Sequence, residues 1–529
     1  MTFLKRSSFL LSLLTPCLLW AALPGTIGGW AILLFALVPL FMVLGRGDSR
    51  HAAYYGLVSG ILHYILLLYW IVIVVGKYGG LPWYISIFSL LGLAVYMSLY
   101  LVLFCVAARS LLATFHPAIC LWLLPSLWVG IDWGRSILFT GLPWMDLGYG
   151  LFDVPILIQV ADLVGHHGVS FLIVLINCLI FLLITGGRSV KTTAVLLVPV
   201  LCLLAGAGYY SKVRLGDISR MEMAADTPAL RVGIVQGNID QSVKWSPAHQ
   251  RITVEKYLEQ TQALAKEGNV SLVVWPETAL PFYPPNTPLM VSLEQEVAAL
   301  GLSLITGAPW YEVVNLQQKE INFYNSAVLL RPDRQPGGRY NKSHLVPFGE
   351  YIPLKKYLPF LAPLVEAVGD FSFGTIDRPL SWLGAKAGVL ICFESVFPEL
   401  SRRWVNRGAN VLINLTNDAW YGKSSAPYQS LAMSVLRAVE SRRSLVRSAN
   451  TGVSAFISPS GKIIDRSEIF VPWAAAVDVV LLEEETVWVR YGYLFAPGCL
   501  ILGVAAMLVC IYRRQRSKPR KLKSEFGIF

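Results

Sequence analysis

Apolar residues divide the chain into three parts. They run almost without interruption over positions 9–210, thin out over 211–490 and return over 493–512. Runs of about 17–25 apolar residues are long enough to cross a bilayer as helices. The pattern therefore predicts a membrane part, a soluble part and a final membrane helix. The predicted spans, about eight in number, are 8–23, 28–45, 53–76, 83–110, 117–133, 167–186, 192–210 and 493–512.

Two stretches of the membrane part need separate interpretation. The segment 143–164 is apolar but interrupted by Pro, Gly and Asp, which predicts an extramembrane or re-entrant loop with protein or water partners for its backbone. The first span has a basic start and the small residues Ala21 and Ala22, which are also typical of a cleaved signal peptide. We favour retention, because the apolar run continues into the second span after a short Pro-Gly turn.

Composition supports a chain that lies largely in lipid. Of the 529 residues, 55% are hydrophobic and 15% are charged, and the mean hydropathy of +0.56 exceeds that of an average soluble protein. The net charge of +11 does not indicate nucleic-acid binding, because seven basic residues lie in the short tail after the last span. Anionic lipid head groups and membrane orientation account for that tail. We therefore expect the bilayer, and no nucleic acid, as a partner.

The basic residues also predict an orientation. Lys and Arg flank the first, second, fourth and sixth spans and fill the tail over 513–529. Under the positive-inside rule these segments are cytoplasmic. Both chain ends are therefore expected inside the cell, and the soluble domain outside it.

The soluble part alternates short β-rich runs with amphipathic stretches, which predicts an α/β or α+β domain. Strands are expected over 230–236, 271–275, 303–307, 325–330, 387–392, 410–415 and 452–457. Helices are expected over 247–267, 288–300, 396–407 and 427–447. Polar residues that follow these strands are then placed at the edge of a sheet.

Cys392 is the one cysteine of eight that lies in the soluble part. The other seven fall in predicted spans, where a small apolar side chain needs no special reason. An extracytoplasmic compartment favours disulfides, but a lone cysteine has no partner within its own domain. Cys392 is therefore either buried and inert or a reactive thiol.

Three polar signals follow buried-strand patterns. Glu277 comes after Ser271–Trp275 in the run Trp275-Pro276-Glu277, where apolar neighbours would raise its pKa and suit it to act as a base. Lys342 lies among aromatic residues, Pro and Gly that can hold a cation near a developing oxyanion. Cys392 ends a buried strand at a turn ahead of a helix, which can lower a thiol pKa.

Each signal has a simpler interpretation when taken alone. Glu277 is equally compatible with a surface glutamate in a turn, Lys342 with a solvated loop lysine, and Cys392 with a core cysteine. His344, two residues after Lys342, also allows a Cys-His pair as the catalytic dyad. The three signals support a catalytic site more strongly together than any of them does alone.

Together the motifs Trp275-Pro276-Glu277, Tyr340-Asn341-Lys342 and Ile391-Cys392-Phe393-Glu394 resemble the carbon-nitrogen hydrolase (nitrilase) superfamily over about residues 229–480. The resemblance implies a Glu-Lys-Cys triad in an αββα sandwich, which makes His344 unnecessary as a base. Phe393 departs from the Tyr that the family commonly has after the nucleophile. Its backbone N–H remains, but a hydroxyl donor at this position is lost.

A nitrilase-like domain inserted before the last of about eight spans resembles the bacterial apolipoprotein N-acyltransferases. Further matches are Val235-Gln236-Gly237-Asn238 through Lys244-Trp245, His344 through Tyr351, Asn417-Asp418-Ala419-Trp420, and Thr140-Gly141-Leu142-Pro143-Trp144. The resemblance implies a membrane domain over 1–212, a catalytic domain over 228–482, a transmembrane helix over 491–512 and a basic tail over 513–529.

This resemblance also implies the chemistry. Glu277 would be the base, Lys342 the oxyanion stabiliser and Cys392 the nucleophile that carries a thioacyl intermediate. The substrates would be a phospholipid acyl donor and a diacylglyceryl apolipoprotein acceptor, in the inner membrane, with the catalytic domain on the periplasmic side. No cofactor and no metal is expected. Supporting roles would fall to Glu350, Glu394, Phe393, Trp245, Asn325 and Trp420.

Three alternatives or extensions stay open. The apolar, aromatic and basic run over 353–364 is interpreted as an arm at the bilayer surface, with a buried hydrophobic loop as the other possibility. A membrane-anchored amidase acting on small amides would use the same triad but needs only one span. A transporter or binding protein is disfavoured by the intact triad and by the few ionisable residues in the spans.

Overall fold

The computed structural model describes residues 2–185, 189–285, 287–315, 317–318, 320–353 and 370–516. Almost all of the predicted arm over 353–364 and the tail beyond Arg516 lie outside these residues. In the membrane part the helices are α1 (Thr2–Ala22), α2 (Val38–Leu44), α3 (Ser49–Leu68), α4 (Trp83–Thr114), α5 (Pro117–Ile137), α6 (Pro155–Ile158), α7 (Ala161–Thr185) and α8 (Val190–Met223).

Six of the eight predicted spans coincide with long apolar helices among the described residues. The first two predicted spans fall on shorter apolar helices, Ser7–Ala22 and Trp30–Leu44. The second is broken, because a 3-10 turn over Trp30–Leu34 precedes α2. The chain is thus a multi-pass membrane protein, and the number eight stays a prediction.

The soluble part begins with β1 (Ala229–Gln236) and ends with β12 (Trp473–Val480). Between them lie α9 (Pro247–Lys266), β2 (Leu272–Val274), α10 (Pro288–Leu300), β3 (Ser303–Asn315), β4 (Glu320–Leu330), β5 (Pro336–Asn341), β6 (Leu380–Trp382), β7 (Ala385–Ile391), α11 (Pro398–Asn406), β8 (Val411–Thr416), α12 (Ala426–Ser441), β9 (Ser444–Ala449), β10 (Ala455–Ile457) and β11 (Ile463–Arg466). The chain then passes through α13 (Val487–Arg490) to α14 (Phe495–Arg516), the final membrane helix.

The described strands form two six-stranded sheets. Their orders are β12-β1-β2-β3-β4-β5 and β11-β10-β9-β8-β7-β6, with parallel pairing among β1, β2 and β3 and among β7, β8 and β9. Alternate side chains of each strand point to opposite faces. In β2, Leu272 and Val274 therefore join the core shared with the second sheet, and Val273 joins the core under α9 and α10. This is the expected αββα sandwich.

The segment predicted as a loop over 143–164 contains a 3-10 turn, α6 and the start of α7, and most of it is buried between the membrane part and the soluble part, although Ile156 and Leu157 are exposed. The Trp144 indole donates to the Gln429 side chain at 2.7 Å, and the Gln159 amide donates to the Ser460 carbonyl at 2.9 Å. Protein groups thus satisfy polar atoms of this segment. The contact places one end of the sandwich directly against the membrane helices.

The prediction of a helix over 427–447 is wrong at the C-terminal end of the helix. The helix α12 stops at Ser441 because Arg442 takes a left-handed conformation with φ of 50°, and β9 begins at Ser444. Arg442 is wholly buried and pairs with Asp162 of α7 at 2.8 Å. A tertiary ion pair, and not local helix propensity, decides the structure here.

Candidate active site

Glu277 lies three residues beyond the end of β2, at the carboxyl end of the parallel strands. The following residue, Thr278, has a left-handed φ of 47° and turns the chain sharply away. Gly307 makes room for this turn, because a Cβ atom there would meet the Thr278 nitrogen at 2.4 Å. Local strain and close packing thus fix the Glu277 backbone at the rim of the sheet.

Both oxygens of the Glu277 carboxylate accept hydrogen bonds. The Asn325 side-chain amide donates to one at 2.8 Å, and the Asn417 backbone N–H donates to the other at 2.8 Å. Glu277 is only 7% exposed. Burial raises the pKa of Glu277, although the positive charge of Lys342 opposes that rise. A buried, oriented carboxylate with a raised pKa is suited to accept a proton.

Lys342 follows β5 and is buried. Its ammonium lies 2.8 Å from a carboxylate oxygen of Glu350 and 3.9 Å from one of Glu277. Burial disfavours its charge, but Glu350 and Glu277 outweigh that effect and raise the pKa of Lys342 above its ordinary value. Lys342 is therefore a fixed cation at physiological pH, as oxyanion stabilisation requires.

Cys392 follows β7 and starts a short 3-10 turn over Cys392–Val396. Its φ of 52° is left-handed, which is uncommon for a residue with a side chain and typical of strained functional positions. The side chain is half-buried. Burial raises the pKa of Cys392, and the Glu277 charge raises it further against the Lys342 charge. The expectation of a lowered thiol pKa is wrong, and the thiol needs a base.

Glu394 is wholly buried and ties the Cys392 turn to the Lys342 loop. One of its oxygens accepts from the Tyr340 hydroxyl at 2.7 Å, the Ser343 N–H at 2.8 Å, the Ser343 hydroxyl at 2.9 Å and the His344 N–H at 3.0 Å. The other accepts from the backbone N–H that precedes Cys392 at 2.8 Å. Its contacts orient the loop that carries Lys342, not the ammonium itself.

His344 does not form a Cys-His pair with hydrogen-bond contact in the described residues. Its ring stacks on Phe397, with centroids 3.9 Å apart, and lies 6.0 Å from the ring of Phe393. Burial lowers the pKa of His344 to about 4, so its imidazole is neutral at physiological pH. Phe393 packs into this aromatic cluster with 8% of its surface exposed.

The remaining predicted supporting residues divide into two groups. Asn325 is buried and donates at 2.8 Å to both Glu277 and Glu350, so it holds the two carboxylates in one arrangement. Trp245 and Trp420 are 46% and 38% exposed. The ring of Trp420 lies edge-on against the ring of Tyr78, with centroids 5.8 Å apart. Tyr78 ends a helical turn of the membrane part. Trp420 thus lies where the two parts of the chain meet.

Sequence analysis missed two residues that contact the site. Asn417 donates to Glu277 through its backbone, and Lys244 is wholly buried beside the Glu277 turn. Both occur in motifs quoted for the resemblance, but neither received a role. The sequence feature that could have indicated Lys244 is its position directly before Trp245, in a segment with the composition of an ordinary loop.

Two histidines gather with a carboxylate in the membrane part, although no metal is expected from the sequence. Asp146, His166 and His167 offer ligand atoms within 4.8 Å of one another. Asp146 is already paired with the Arg135 guanidinium, and His166 bonds both Asp146 at 2.9 Å and Glu440 at 3.0 Å. The adjacent guanidinium opposes a bound cation, so these residues are better described as a buried ion network.

Comparisons with known proteins place both parts of the chain. Residues 231–470 match the carbon-nitrogen hydrolase family model, and residues 16–179 match the apolipoprotein N-acyltransferase N-terminal domain. Among solved structures, the chain is similar to an amidase from Nesterenkonia sp., with a TM-score of 0.35 and 18% identity, covering 50% of this chain and 92% of that chain.

Two relatives cover most of the sequence. An apolipoprotein N-acyltransferase of Geobacter metallireducens is 38% identical over 97% of this chain and 96% of its own length. The apolipoprotein N-acyltransferase of Haemophilus ducreyi is 31% identical over 85% of this chain and 86% of its own length. With both its membrane part and its nitrilase-like part matched, the chain belongs to the apolipoprotein N-acyltransferase family.

Proposed function

We propose that Cys392, Glu277 and Lys342 carry out the acyl transfer of this family as nucleophile, base and oxyanion stabiliser. The observation that carries the assignment is their convergence at the ends of β7, β2 and β5. The charges of Glu277 and Lys342 both act on the Cys392 thiol. The donor is a membrane phospholipid, and the acceptor is the N-terminal diacylglyceryl-cysteine of an apolipoprotein.

The first half-reaction forms a thioester. Glu277 takes the thiol proton of Cys392, and the sulfur attacks the ester carbonyl carbon of the phospholipid. The Lys342 ammonium and the Phe393 backbone N–H stabilise the tetrahedral oxyanion. When the intermediate collapses, the C–O bond breaks, and Glu277 returns its proton to the leaving alcohol. A lysophospholipid departs and the acyl group remains on Cys392.

The second half-reaction transfers the acyl group to an amine. The α-amino group of the diacylglyceryl-cysteine attacks the thioester carbonyl, and Glu277 accepts the proton that the nitrogen loses. Collapse of the intermediate breaks the C–S bond, and the proton returns to the sulfur. The products are an amide-linked acyl chain and free Cys392, which completes a ping-pong cycle.

Access for two lipid substrates distinguishes this function from that of a soluble amidase. The exposed Trp420 contacts Tyr78 of the membrane part, and Trp245 is a second exposed tryptophan, in the segment that contacts the Glu277 turn. Trp side chains favour the interface between bilayer and water. These rings therefore support a route by which acyl chains reach Cys392 from the membrane.

The basic loops and tail support a periplasmic catalytic domain, and labelling tests this orientation. In intact cells with a permeable outer membrane, a thiol reagent that does not cross the inner membrane should modify Cys392. A reporter fused at Phe529 should be active only in the cytoplasm. A reporter that is active on the outer side would contradict the proposed orientation.

Acyl loading tests the chemistry. Purified protein incubated with phospholipid alone should gain one acyl group on the Cys392 peptide, and hydroxylamine should remove it as expected for a thioester. Cys392→Ala should gain none, whereas Cys202→Ala, which removes an exposed membrane-helix thiol, should load normally. Adding a diacylglyceryl peptide should discharge the wild-type acyl group onto the peptide. Normal loading of Cys392→Ala would overturn the assignment.

The same experiment separates the alternative, a membrane-anchored amidase for small amides. Such an enzyme would hydrolyse a small amide at Cys392 but would neither retain an acyl group from phospholipid nor pass one to a lipopeptide. If Cys392 is loaded but the acyl group is not passed to the peptide, the proposal of a diacylglyceryl-cysteine acceptor is contradicted.

A further inference from the structure

Lys244 lies in the segment between β1 and α9 and has no exposed surface. Its two sequence neighbours are exposed to solvent: Val243 by 38% and Trp245 by 46%. Burying an ammonium costs free energy unless hydrogen bonds and charges compensate. A lysine that turns inward between two exposed apolar residues therefore needs a specific partner.

The partner is the turn that carries Glu277. The Lys244 ammonium donates to the Thr278 hydroxyl at 2.9 Å and to the Glu277 carbonyl oxygen at 3.5 Å. Thr278 is β-branched and held at a φ of 47°, a conformation that such residues rarely adopt. The hydrogen bond to its hydroxyl therefore helps to hold a strained turn in place.

A second connection runs from the same segment to the other side of the carboxylate. The Asn417 side-chain amide donates to the Gln241 carbonyl oxygen at 2.8 Å, and the Asn417 backbone N–H donates to Glu277 at 2.8 Å. The segment over 240–246 thus contacts the surroundings of Glu277 at two points. Movement of this segment would be transmitted to the base.

The charge of Lys244 also acts on Glu277. Its ammonium favours the ionised carboxylate and opposes the effect of burial on the pKa of Glu277. In return, burial lowers the pKa of Lys244 to about 8, with Glu277 opposing that shift. The two groups therefore influence each other's ionisation, in addition to the backbone contact.

We propose that Lys244 is a positioning residue for the base: it holds the Glu277 turn through Thr278 and supplies a second positive charge behind the carboxylate. This inference rests on the proposed role of Glu277 as the base. Lys244 does not contact the reacting atoms. It also connects the exposed edge formed by Val243 and Trp245 to the proton-accepting group.

The test measures alkylation of Cys392 by iodoacetamide across pH 5–9, on the purified full chain, by mass of the Cys392 peptide. Lys244→Met should lower the rate at neutral pH by about 10- to 100-fold, the effect expected when a hydrogen bond from a charged group is lost. It should also move the acidic limb of the pH–rate profile, where the alkylation rate rises with pH, to higher pH. The reason is that the positive charge that favours ionised Glu277 is gone. Lys244→Arg should keep the limb in place.

Two further variants separate geometry from charge. Thr278→Val removes the hydroxyl acceptor but keeps the ammonium, so the rate should fall while the acidic limb stays at the wild-type pH. Lys266→Met removes an exposed lysine at the end of α9 and should match wild type. Thr278→Val is also informative if Lys244→Met does not fold, since a wild-type rate in this variant would overturn the hydrogen-bonding role.

An unmoved acidic limb in folded Lys244→Met would overturn the proposed effect of its charge, whatever the loss of rate. A wild-type rate in that variant would overturn the whole inference. Iodoacetamide needs no lipid site, so the outcome is independent of the acyl donor. A wild-type protein that is alkylated normally but takes no acyl group from phospholipid would contradict the proposed function and leave the role of Lys244 intact.

Discussion

The Lys342 ammonium lies 2.8 Å from a carboxylate oxygen of Glu350, closer than to the proposed base. Glu350 also accepts from the Asn325 amide and from the Val346 N–H, each at 2.8 Å. The carboxylate is therefore itself fixed, and it determines where the Lys342 charge lies. This geometry favours a role for Glu350 in orienting Lys342 over a role in orienting the incoming amine.

We expect Glu350→Gln to slow acyl loading of Cys392 by about 10- to 100-fold, since the variant weakens a charge-assisted hydrogen bond that orients Lys342. Mass measurement of the Cys392 peptide over time gives the rate. Glu255→Gln on the exposed face of α9 is the matched control and should load normally. If Glu350→Gln loads at the wild-type rate but fails to pass the acyl group on, Glu350 acts on the amine instead.

The pH dependence of loading should follow the ionisation of Glu277. Because burial raises the pKa of Glu277 and only the ionised form accepts a proton, the loading rate should rise with pH through an inflection above the usual glutamate range. The Glu350 charge raises the same pKa. Glu350→Gln should therefore move the inflection to lower pH, while an inflection at an ordinary glutamate value in wild type would exclude Glu277 as this base.

Glu394→Gln should lower both stability and loading. The carboxylate accepts from five donors, and an amide would point two hydrogens at some of them. Each hydrogen bond to a charged group contributes about 1.5–3 kcal/mol, so the unfolding temperature should fall clearly. Glu399→Gln, which changes an exposed ion pair of α11, should leave it almost unchanged. Unaltered unfolding of Glu394→Gln would show that this network is not a structural tie.

Glu277 and Cys392 could be proposed from the sequence because each follows a strand with a local apolar pattern, whereas Lys342 follows the partly exposed β5 and was proposed from its neighbours and from the family motif. Glu277 and Lys342 follow β2 and β5 of one sheet, whereas Cys392 follows β7 of the other, so the packing of the two sheets brings the three residues together. Lys244 and Asn417 were not accessible in this way. Their partners lie 34 and 140 positions away, and nothing local distinguishes a buried lysine from a solvated one.

The strand β9, where the sequence predicted the end of a helix, was missed for a similar reason. The strand β9 carries Arg447, which together with Arg442 and Arg443 extends a helical pattern beyond the true end of α12. In the fold Arg447 is wholly buried and pairs with Asp418 at 2.8 Å, while Arg443 donates to the Ala409 carbonyl. Residues that local patterns place on a solvated helix are thus interior groups whose partners come from other elements.

The pair formed by Arg447 and Asp418 gives the last prediction, through Gly452. A Cβ atom at Gly452 would meet a carboxylate oxygen of Asp418 at 2.0 Å and its Cβ at 2.6 Å, so Asp418 would have to move. Both members of the ion pair have no exposed side-chain surface, and separating such a pair costs about 3–5 kcal/mol. Asn417 precedes Asp418 and donates its backbone N–H to Glu277.

Gly452→Ala should therefore lower the unfolding temperature and the acyl loading rate together, although it adds a single methyl group and contacts neither Cys392 nor Lys342. Gly216→Ala in α8 is the matched control, because a Cβ atom there meets nothing within 4 Å and alanine favours a helix. Asp418→Gly in the Gly452→Ala background removes both the carboxylate and the Cβ atom that overlap, but it should not restore loading, since the partner of Arg447 is then absent. Wild-type stability and loading in Gly452→Ala would mean that the Asn417 turn, and with it the hydrogen bond from Asn417 to Glu277, does not depend on this packing.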